Sequence, residues 1–476
     1  MTREEMQMEL WSLWYWAVTQ LRSAFSHQRT YLWALLSLAA MSLRTDLNGV
    51  SSLMRALGLK SLSYYGFLRF FHSKGVNLGK LSECWTRLAF KLFQPVMTGN
   101  YIFLLIDGLK VAKEGHKMPG VKCLHQESNN NSKAEYIMGH SIQCLALLAK
   151  SIGGCMAAVP LIAQIHEGLV WSNRDQRTLN DKAVSLVRNV QQISRKALMI
   201  IADAYYCNAT FIRGLLGCEC QLITRVRNNA VAYYPAEQPP QRKRGRPKKY
   251  GEKVLLQSLF DQPELFTASP SRIYREDGQV ELRYYVINLL WEPLKSMMRF
   301  VLVDHPSRGQ SIFTTSDLTL DPIVVLEAYG YRQKIELSFK QAIHVIGTYG
   351  YHFWMKGMDS IKRFSGDQYL HRKSQDYRDA VHRKMQAYAT YILMGCITQG
   401  LLLHLCLNHG ATVWRKFGSW LRTMKVNAAP SEWVAANALR STLPDFLSGS
   451  SDQHAFKKFL LESMDPELGQ VLRLAG

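Results

Sequence analysis

The sequence predicts an α/β protein in which a central mixed sheet lies between helical segments of the chain. Two short apolar runs, each ending in an aspartate, are typical of buried strands. Further apolar runs alternate with stretches of helical periodicity, which is the pattern of a layered α/β domain. The residues before this region show helical periodicity with few glycines and prolines, and the residues after it are expected to form mostly short helices.

Residues 1–98 are predicted to be helical. Within them, one helix is expected to end at Gly58 and another to begin at Ser61 or Ser63, whose hydroxyl groups would cap it. The second helix presents side chains suited to a DNA groove and its phosphates: Lys60, Tyr64, Tyr65 and Arg69. A DNA-binding helix–turn–helix and a plain helical hairpin in a small bundle both fit this pattern.

The central domain is expected to begin with the strand 101–107, which ends in Asp107. A second strand, 197–203, ends in Asp203 in the same way. The other elements predicted here are strands at 139–149, 155–165 and 220–226 and helices at 181–197 and 208–216. Aspartates at the ends of two buried strands are the first candidates for chemistry.

Residues 228–305 interrupt this alternation and are expected to form a β-rich insertion. A hairpin is predicted about Asp277-Gly278, a strong turn dipeptide, and a further strand at 297–303. The basic run 242–249 contains Arg-Gly-Arg-Pro, which resembles the core of a minor-groove binding motif. The alternative is a solvated loop that contacts phosphates without reading bases, and both interpretations place DNA near this segment.

A helix is predicted from about 322 to 346, with capping residues at its approach, and a long helix from 377 to 407. The approach residues are Thr315, Ser316 and Asp317. On the first helix, Glu336 is expected to share a face with three other residues: Tyr329 seven positions before it, Arg332 four before it and Lys340 four after it. Apolar residues on its other faces indicate a largely buried helix rather than a surface helix with ordinary ion pairs.

Buried strand-end carboxylates are costly unless something compensates their charge. A divalent cation with oxygen ligands, Mg²⁺ or its substitute Mn²⁺, is the natural compensation. A third acid, Glu336, would complete a two-metal site able to displace phosphodiesters. The His and Cys residues between 116 and 144 match no standard zinc spacing.

The charge of the chain points to a polyanionic partner. A net charge of +21 over 476 residues favours nucleic acid, with an anionic membrane surface as the alternative. The nine cysteines form no disulfide framework, and no signal peptide is predicted, so we expect a cytoplasmic protein. The apolar runs 31–43 and 389–407 are interpreted as buried core helices, so no membrane partner is expected.

The pattern Y-x-x-R-x-x-x-E, met by Tyr329, Arg332 and Glu336, resembles the signature of bacterial insertion-sequence transposases of the DDE class, in the family numbered four. The resemblance implies an RNase H-like core with a β-rich insertion. It also implies the metal-binding catalytic triad Asp107, Asp203 and Glu336. One position departs from the signature, because Ile343 stands where the family has lysine; Lys340, one turn earlier, is the expected substitute.

The resemblance further implies partners and roles. The protein would bind the terminal inverted repeats of its element, cleave them and join the ends to target DNA, as a homodimer or larger assembly in a bacterial or archaeal cell. Trp291 would stack on a flipped base, a core tryptophan being the alternative. The residues expected to contact DNA are Tyr329, Arg332, Lys340, Arg244, Arg246, Lys248, Lys249 and Trp291.

Four regions are expected: a helical DNA-binding domain at 1–98, a catalytic core at 99–227 and 306–405, the insertion at 228–305, and a C-terminal helical region at 406–476. Three other functions remain open. They are an RNase H-like metal-dependent nuclease without strand transfer, a catalytically inactive domesticated DNA-binding protein, and a basic peripheral membrane protein.

Overall fold

The computed structural model describes residues 9–126, 134–151, 153–237, 248–270, 280–449 and 455–467. Arg244, Arg246 and the predicted turn at Asp277-Gly278 lie outside these ranges. The chain divides into two compact units. The first comprises Met1–Pro95, Gly108–Gln176 and Glu336–Gly476, and the second comprises Val96–Asp107 and Arg177–Ile335.

The α-helices of the described ranges are α1 (Leu10–Thr19), α2 (Gln28–Leu43), α3 (Gly49–Ala56), α4 (Ser63–Phe71), α5 (Leu78–Leu92), α6 (Leu179–Ser194), α7 (Ala209–Leu216), α8 (Pro322–Gly330), α9 (Gln333–Gln341), α10 (Gln375–Asn408), α11 (Gly410–Lys416), α12 (Glu432–Ser441), α13 (Leu443–Ser448) and α14 (Ala455–Ser463). A π-helical turn, Ala342–Ile346, follows α9 directly.

The strands of the same ranges are β1 (Gln94–Pro95), β2 (Met97–Thr98), β3 (Tyr101–Ala112), β4 (Lys122–His125), β5 (Tyr136–Lys150), β6 (Met156–Ile165), β7 (Leu169–Val170), β8 (Ala197–Ile201), β9 (Cys220–Val226), β10 (Val231–Pro235), β11 (Tyr250–Leu255), β12 (Thr267–Pro270), β13 (Glu281–Trp291), β14 (Ser296–His305), β15 (Gly309–Thr315) and β16 (Gln368–Tyr369).

The second unit contains a mixed sheet, which confirms the predicted fold class. Strands β3, β8 and β9 run parallel to one another. Antiparallel strands continue the sheet from β9 through β15, β14 and β13 to β10 and β11. The β-rich insertion therefore extends the parallel strands rather than forming a separate layer. Its link to them, β15, is absent from the sequence prediction because its Gly-Gln-Ser start and Thr-Thr end give no apolar run.

The parallel strands form because their sequences are apolar on both faces. Leu104, Leu105 and Ile106 of β3 are fully buried, as are Ile200 and Ile201 of β8. Parallel strands covered on both sides have such continuous apolar runs. In β3 the buried run ends at Ile106, and partly buried residues alternate with exposed ones from Asp107 to Ala112. The pairing of β3 with β8 stops at Leu105 and Ile201, where β8 ends and β3 continues to Ala112.

The first unit is built around α10. This helix packs against α2, α5 and β6, while β5 pairs antiparallel with β1, β4 and β6. Its 34 residues are long and apolar enough to cross a membrane, but the apolar window is completely buried within the protein. Helix α10 is therefore a core helix of this unit.

The N-terminal part of the chain is helical from α1 to α5, and short strands follow after Leu92. Helices α3 and α4 lie where the pair about Gly58 is predicted. Gly58 itself adopts a left-handed conformation with φ +55°. The predicted serine cap is wrong: Leu62 is the N-cap residue of α4, and no side chain caps the helix there. The turn instead places Lys60 ahead of the helix.

The single helix predicted at 322–346 is wrong, because the chain forms two helices there. Helix α8 ends at Gly330, and the backbone then tightens into hydrogen bonds between residues three apart. Arg332 N donates to the carbonyl of Tyr329 at 3.0 Å, and Ile335 N donates to the carbonyl of Arg332 at 3.2 Å. Glycine is a poor helix former, and bonds of this spacing are typical of helix ends.

Candidate active site

Asp107 and Asp203 lie at the same level on neighbouring parallel strands. Leu105 of β3 is in register with Ile201 of β8, and each aspartate follows its partner by two residues. Neighbouring strands are about 4.8 Å apart, and residues two apart point to the same face of a sheet. The register thus places the two aspartates side by side. Asp203 follows the end of β8 as predicted, but the prediction that the first strand ends at Asp107 is wrong, because β3 continues to Ala112.

Asp107 forms an ion pair with Arg332. The Arg332 Nη1 atom donates to Oδ2 of Asp107 at 3.2 Å, and the two side chains are 19% and 17% exposed. Arg332 lies in the turn between α8 and α9, so the helix break supplies the residue that neutralises this acid. A charge-assisted hydrogen bond at such partial burial fixes the orientation of the carboxylate.

Asp203 is held by its own turn. Its Oδ1 atom accepts a hydrogen bond from the backbone N–H of Tyr205 at 2.9 Å, which caps a short 3₁₀ turn. Its carbonyl oxygen accepts a bond from Oγ1 of the fully buried Thr224 on β9 at 2.7 Å. Side chain and main chain are therefore both fixed at the edge of the sheet.

Tyr329, the last aromatic residue of α8, belongs to the same region of the second unit. Its ring packs against Phe313 of β15 with the centroids 4.8 Å apart. Burial raises the pKa of its hydroxyl above 10, the charges of Arg332 and Arg225 lower it, and those of the two aspartates raise it. The hydroxyl thus remains protonated at neutral pH and can donate a hydrogen bond.

Arg225 was missed by the sequence analysis. It is exposed on β9, between the buried residues Thr224 and Val226, and its charge acts on Tyr329. The available signal was the polar pair Thr-Arg near the carboxyl end of a third apolar strand. Since β9 is the parallel neighbour of β8, its end lies at the same edge as Asp203.

Glu336 and Lys340 lie on the exposed face of α9, as does Ile343 in the π-helical turn. The prediction that this helix is largely buried is wrong, since only the opposite face, including Ile335 and Phe339, is buried. The helix break also means that Tyr329, Arg332 and Glu336 do not share one continuous helix face. Glu336 belongs to the first compact unit, whereas the other two residues belong to the second.

The strand-end residues have the donor chemistry of a divalent-cation site. Two carboxylates supply the oxygen ligands that Mg²⁺ and Mn²⁺ prefer, and their cationic neighbour Arg332 shows that this edge concentrates negative charge. Within the described ranges, no three His, Cys, Asp or Glu side chains are grouped so that they could hold a metal ion. Within the second unit, the structure places Asp107 and Asp203 at the same level of the sheet.

The second unit has a cavity of about 540 Å³ that is lined in part by the residues just after Asp203 in the chain. Trp291, only 8% exposed, lies in its wall and ends β13. The side chains that face this cavity include aromatic, amide and cationic groups: Tyr205, Asn208, Arg227, Asn229, Tyr233 and Trp291. Trp291 is therefore mostly buried, and one side of it borders the cavity.

Of the predicted basic loop, Lys248 and Lys249 fall within the described residues, and both are exposed. The ammonium group of Lys249 donates to the carbonyl of Lys295, which ties the end of the loop to the turn between β13 and β14. This contact places the loop end beside the insertion strands of the second unit.

The predicted capping residues before α8 have other roles. The N-cap residue is Asp321, whose Oδ1 accepts from Ile323 N at 2.7 Å. Ser316 Oγ accepts from the backbone N–H of Leu222 at 2.9 Å and so fastens the end of β15 to β9. Asp317 accepts hydrogen bonds from Thr319 in a local turn.

Comparison with known proteins gives one finding about the family. A family model described as a DDE superfamily endonuclease matches residues 20–277, which is more than half of the chain. The matched segment contains Asp107 and Asp203 and ends before Glu336. No curated protein matches the chain significantly.

Proposed function

This chain belongs to the DDE superfamily endonuclease family, and we propose that it is a DNA transposase of the insertion-sequence family numbered four. It binds the terminal inverted repeats of its element, cleaves them, and joins the freed ends to target DNA. The observation that supports this most strongly is the parallel register of β3 and β8, which aligns Leu105 with Ile201 and so brings the aspartates two residues further along to the same level.

We assign the cation-binding role to Asp107 and Asp203, with Glu336 as the third ligand. Mg²⁺ is the proposed cofactor and Mn²⁺ its substitute, because hard oxygen donors suit both. Divalent cations at such a site lower the pKa of a water or hydroxyl nucleophile and offset the charge on the leaving oxygen. The roles of Asp107 and Asp203 rest on geometry, while that of Glu336 rests on the signature.

The residues near the acids would position the DNA strand. The neutral hydroxyl of Tyr329 donates a hydrogen bond to a phosphate oxygen. When a cation binds the Asp107 carboxylate, Arg332 leaves its ion pair with Asp107 and binds a phosphate of the DNA instead. Lys340 supplies a further cation from the exposed face of α9 and serves in place of the family lysine at position 343. These contacts fix the scissile strand without taking part in proton transfer.

DNA contacts outside the acids follow the same assignment. The basic loop contacts the backbone through Arg244, Arg246, Lys248 and Lys249, and Trp291 stacks on a base admitted to its cavity. We assign DNA binding to residues 1–98 and catalysis to 99–227 and 306–405, with the insertion at 228–305 and the C-terminal helical region at 406–476. Because two element ends must be joined, the working form is a homodimer or larger, acting in the cytoplasm at the nucleoid.

The test separates cleavage from joining. The purified chain is incubated with Mg²⁺, a linear duplex ending in the inverted repeats that flank its coding region, and a supercoiled target plasmid. We expect cleaved ends and joined products. Cleavage without joining would contradict the transposase and leave a metal-dependent nuclease. Binding of the repeats without cleavage would leave an inactive DNA-binding protein.

A further inference from the structure

The first unit has a groove of about 880 Å³ formed by helices from both ends of the chain. Helix α2 and the residues just before it form one side, helix α4 and its preceding turn form the second, and helix α14 forms the third. We call it the α2–α4–α14 groove. Its lining residues of importance here are Arg29, Trp33, Lys60, Tyr65, Arg69 and Glu462.

The floor of the groove is preformed. The indole of Trp33 lies so close to Gly66 of α4 that a Cβ atom there would fall 2.1 Å from its Cζ2 atom. The same indole packs edge-to-face against Phe67 at 5.2 Å and against Phe459 of α14 at 5.3 Å. One side chain therefore contacts the other two helices, and the three walls are held at fixed separations.

The C-terminal wall is fastened to the turn before α4. Leu59 forms an antiparallel bridge with Met464, and Lys60 N donates to the carbonyl of Ser463 at 3.0 Å. The Lys60 ammonium group donates to the carbonyl of Glu462 at 2.7 Å. Cations are favoured at the carboxyl end of a helix, so Lys60 also stabilises the end of α14.

The groove presents cations that have no acidic partner among the residues that the structure describes. Arg29, Lys60 and Arg69 are exposed, and within the described parts of the chain none of them forms an ion pair. Glu462 is the single acid among the described residues that line the groove. Arg87 on α5 shows the contrasting case, since its guanidinium pairs with Glu83 at 2.7 Å. A surface that leaves its cations without internal counterions complements a polyanion.

We propose that the α2–α4–α14 groove binds the sugar–phosphate backbone of double-stranded DNA. Arg29, Lys60 and Arg69 neutralise phosphates, and Tyr65, 61% exposed on α4, donates its hydroxyl to the same strand. The C-terminal helix is thereby part of the DNA-binding surface, although it is remote in sequence from the other walls. The proposal rests on the proposed function, because it requires DNA to be the substrate.

The test measures the salt dependence of duplex binding by fluorescence anisotropy. Each phosphate neutralised by a cation contributes about 0.9 to the slope of log K against log salt. We expect Arg29→Ala and Arg69→Ala each to lower the slope by about 0.9 and to weaken repeat and unrelated duplexes equally. Arg87→Ala, which removes the same charge outside the groove, should leave the slope unchanged.

A variant that removes a negative charge tests the C-terminal wall of the groove. Glu462→Gln removes the acid that repels phosphates, so we expect roughly two- to fivefold tighter binding, the size of an exposed charge interaction. Unchanged slopes for Arg29→Ala and Arg69→Ala, with a wild-type chain that binds DNA, would overturn the groove and leave the proposed function intact. A wild-type chain that binds no DNA would overturn both.

Discussion

The strand-end site and the α2–α4–α14 groove balance their charges in different ways. At the strand ends, the partly buried Asp107 pairs with Arg332, and a backbone N–H binds Asp203. In the groove, exposed cations remain without acids among the described residues. A partly buried charge must be compensated within the protein, whereas an exposed charge can be compensated by a ligand when it binds.

This difference predicts that substitutions can change strand cleavage and DNA affinity independently. Changes at the strand ends should abolish strand cleavage while leaving DNA affinity almost unchanged, because the acids make no favourable contact with phosphates in the absence of a cation. Changes in the groove should weaken binding and leave the cleavage rate at saturating DNA unchanged. Arg29→Ala and Arg69→Ala test the groove, and the following substitutions test the catalytic side of this comparison, beginning with the largest expected effect.

Asp203→Asn should reduce single-turnover cleavage roughly a thousandfold or more, because cation-based stabilisation worth several kcal/mol is lost. Asparagine keeps the hydrogen bond from Tyr205 N, so the turn should survive. The matched control is Asp317→Asn, which removes the same charge from a turn that only bonds Thr319. Equal cleavage rates for Asp203→Asn and wild type would contradict the catalytic assignment.

Glu336→Gln should reduce cleavage on the order of a hundredfold, since the third ligand loses its negative charge and one of its two oxygens while both aspartates remain. Helix α9 tolerates the change because the side chain lies on its exposed face. Glu327→Gln on α8 provides the control for a lost helical carboxylate. Full activity of Glu336→Gln would show that the third ligand lies elsewhere.

Arg332→Gln should lower the cleavage rate on the order of tenfold, because a charged hydrogen bond to phosphate is lost. The Mg²⁺ concentration for half-maximal cleavage should fall in the same variant, since glutamine competes less with a cation for Asp107. A magnesium titration reads both effects. An increase in the magnesium requirement would refute the view that Arg332 occupies the place of a cation.

Tyr329→Phe should have the smallest effect, a loss of about fivefold, the size of one neutral hydrogen bond. Because the pKa of the hydroxyl is raised above 10, it stays protonated up to that pH and contributes no titration below it. The pH–rate profiles of the variant and wild type should therefore be parallel between pH 6 and about 9. A wild-type inflection that disappears in Tyr329→Phe would contradict this role.

The sequence was informative where burial is uniform. The runs before Asp107 and Asp203 are apolar on both faces, so these runs and the aspartates after them could be located without a structure, although β3 continues past Asp107 to Ala112. The register between the two strands could not be predicted, because it depends on pairing between residues that are far apart in the sequence. The same limit applies to α14, whose contact with the turn at Lys60 joins opposite ends of the chain.

The helix after β15 shows why a local pattern was insufficient. Residues 322–346 satisfy helical periodicity throughout, yet the chain breaks after Gly330 and places Arg332 in a turn. Periodicity is unaffected by one tightened turn, so a helix pair and a single helix give almost the same pattern. The face shared by Tyr329 and Glu336 was a consequence of assuming one helix.

The central claim is that Asp107 and Asp203 hold a divalent cation, and radical footprinting tests it without relying on activity. Fe²⁺ replaces Mg²⁺, and ascorbate with peroxide generates hydroxyl radicals that cut the polypeptide beside bound iron. The account predicts cuts next to both aspartates, suppressed by excess Mg²⁺ and absent from the Asp107→Asn/Asp203→Asn double variant. Cuts at other positions only, or cuts at these positions that persist in the double variant, would contradict it.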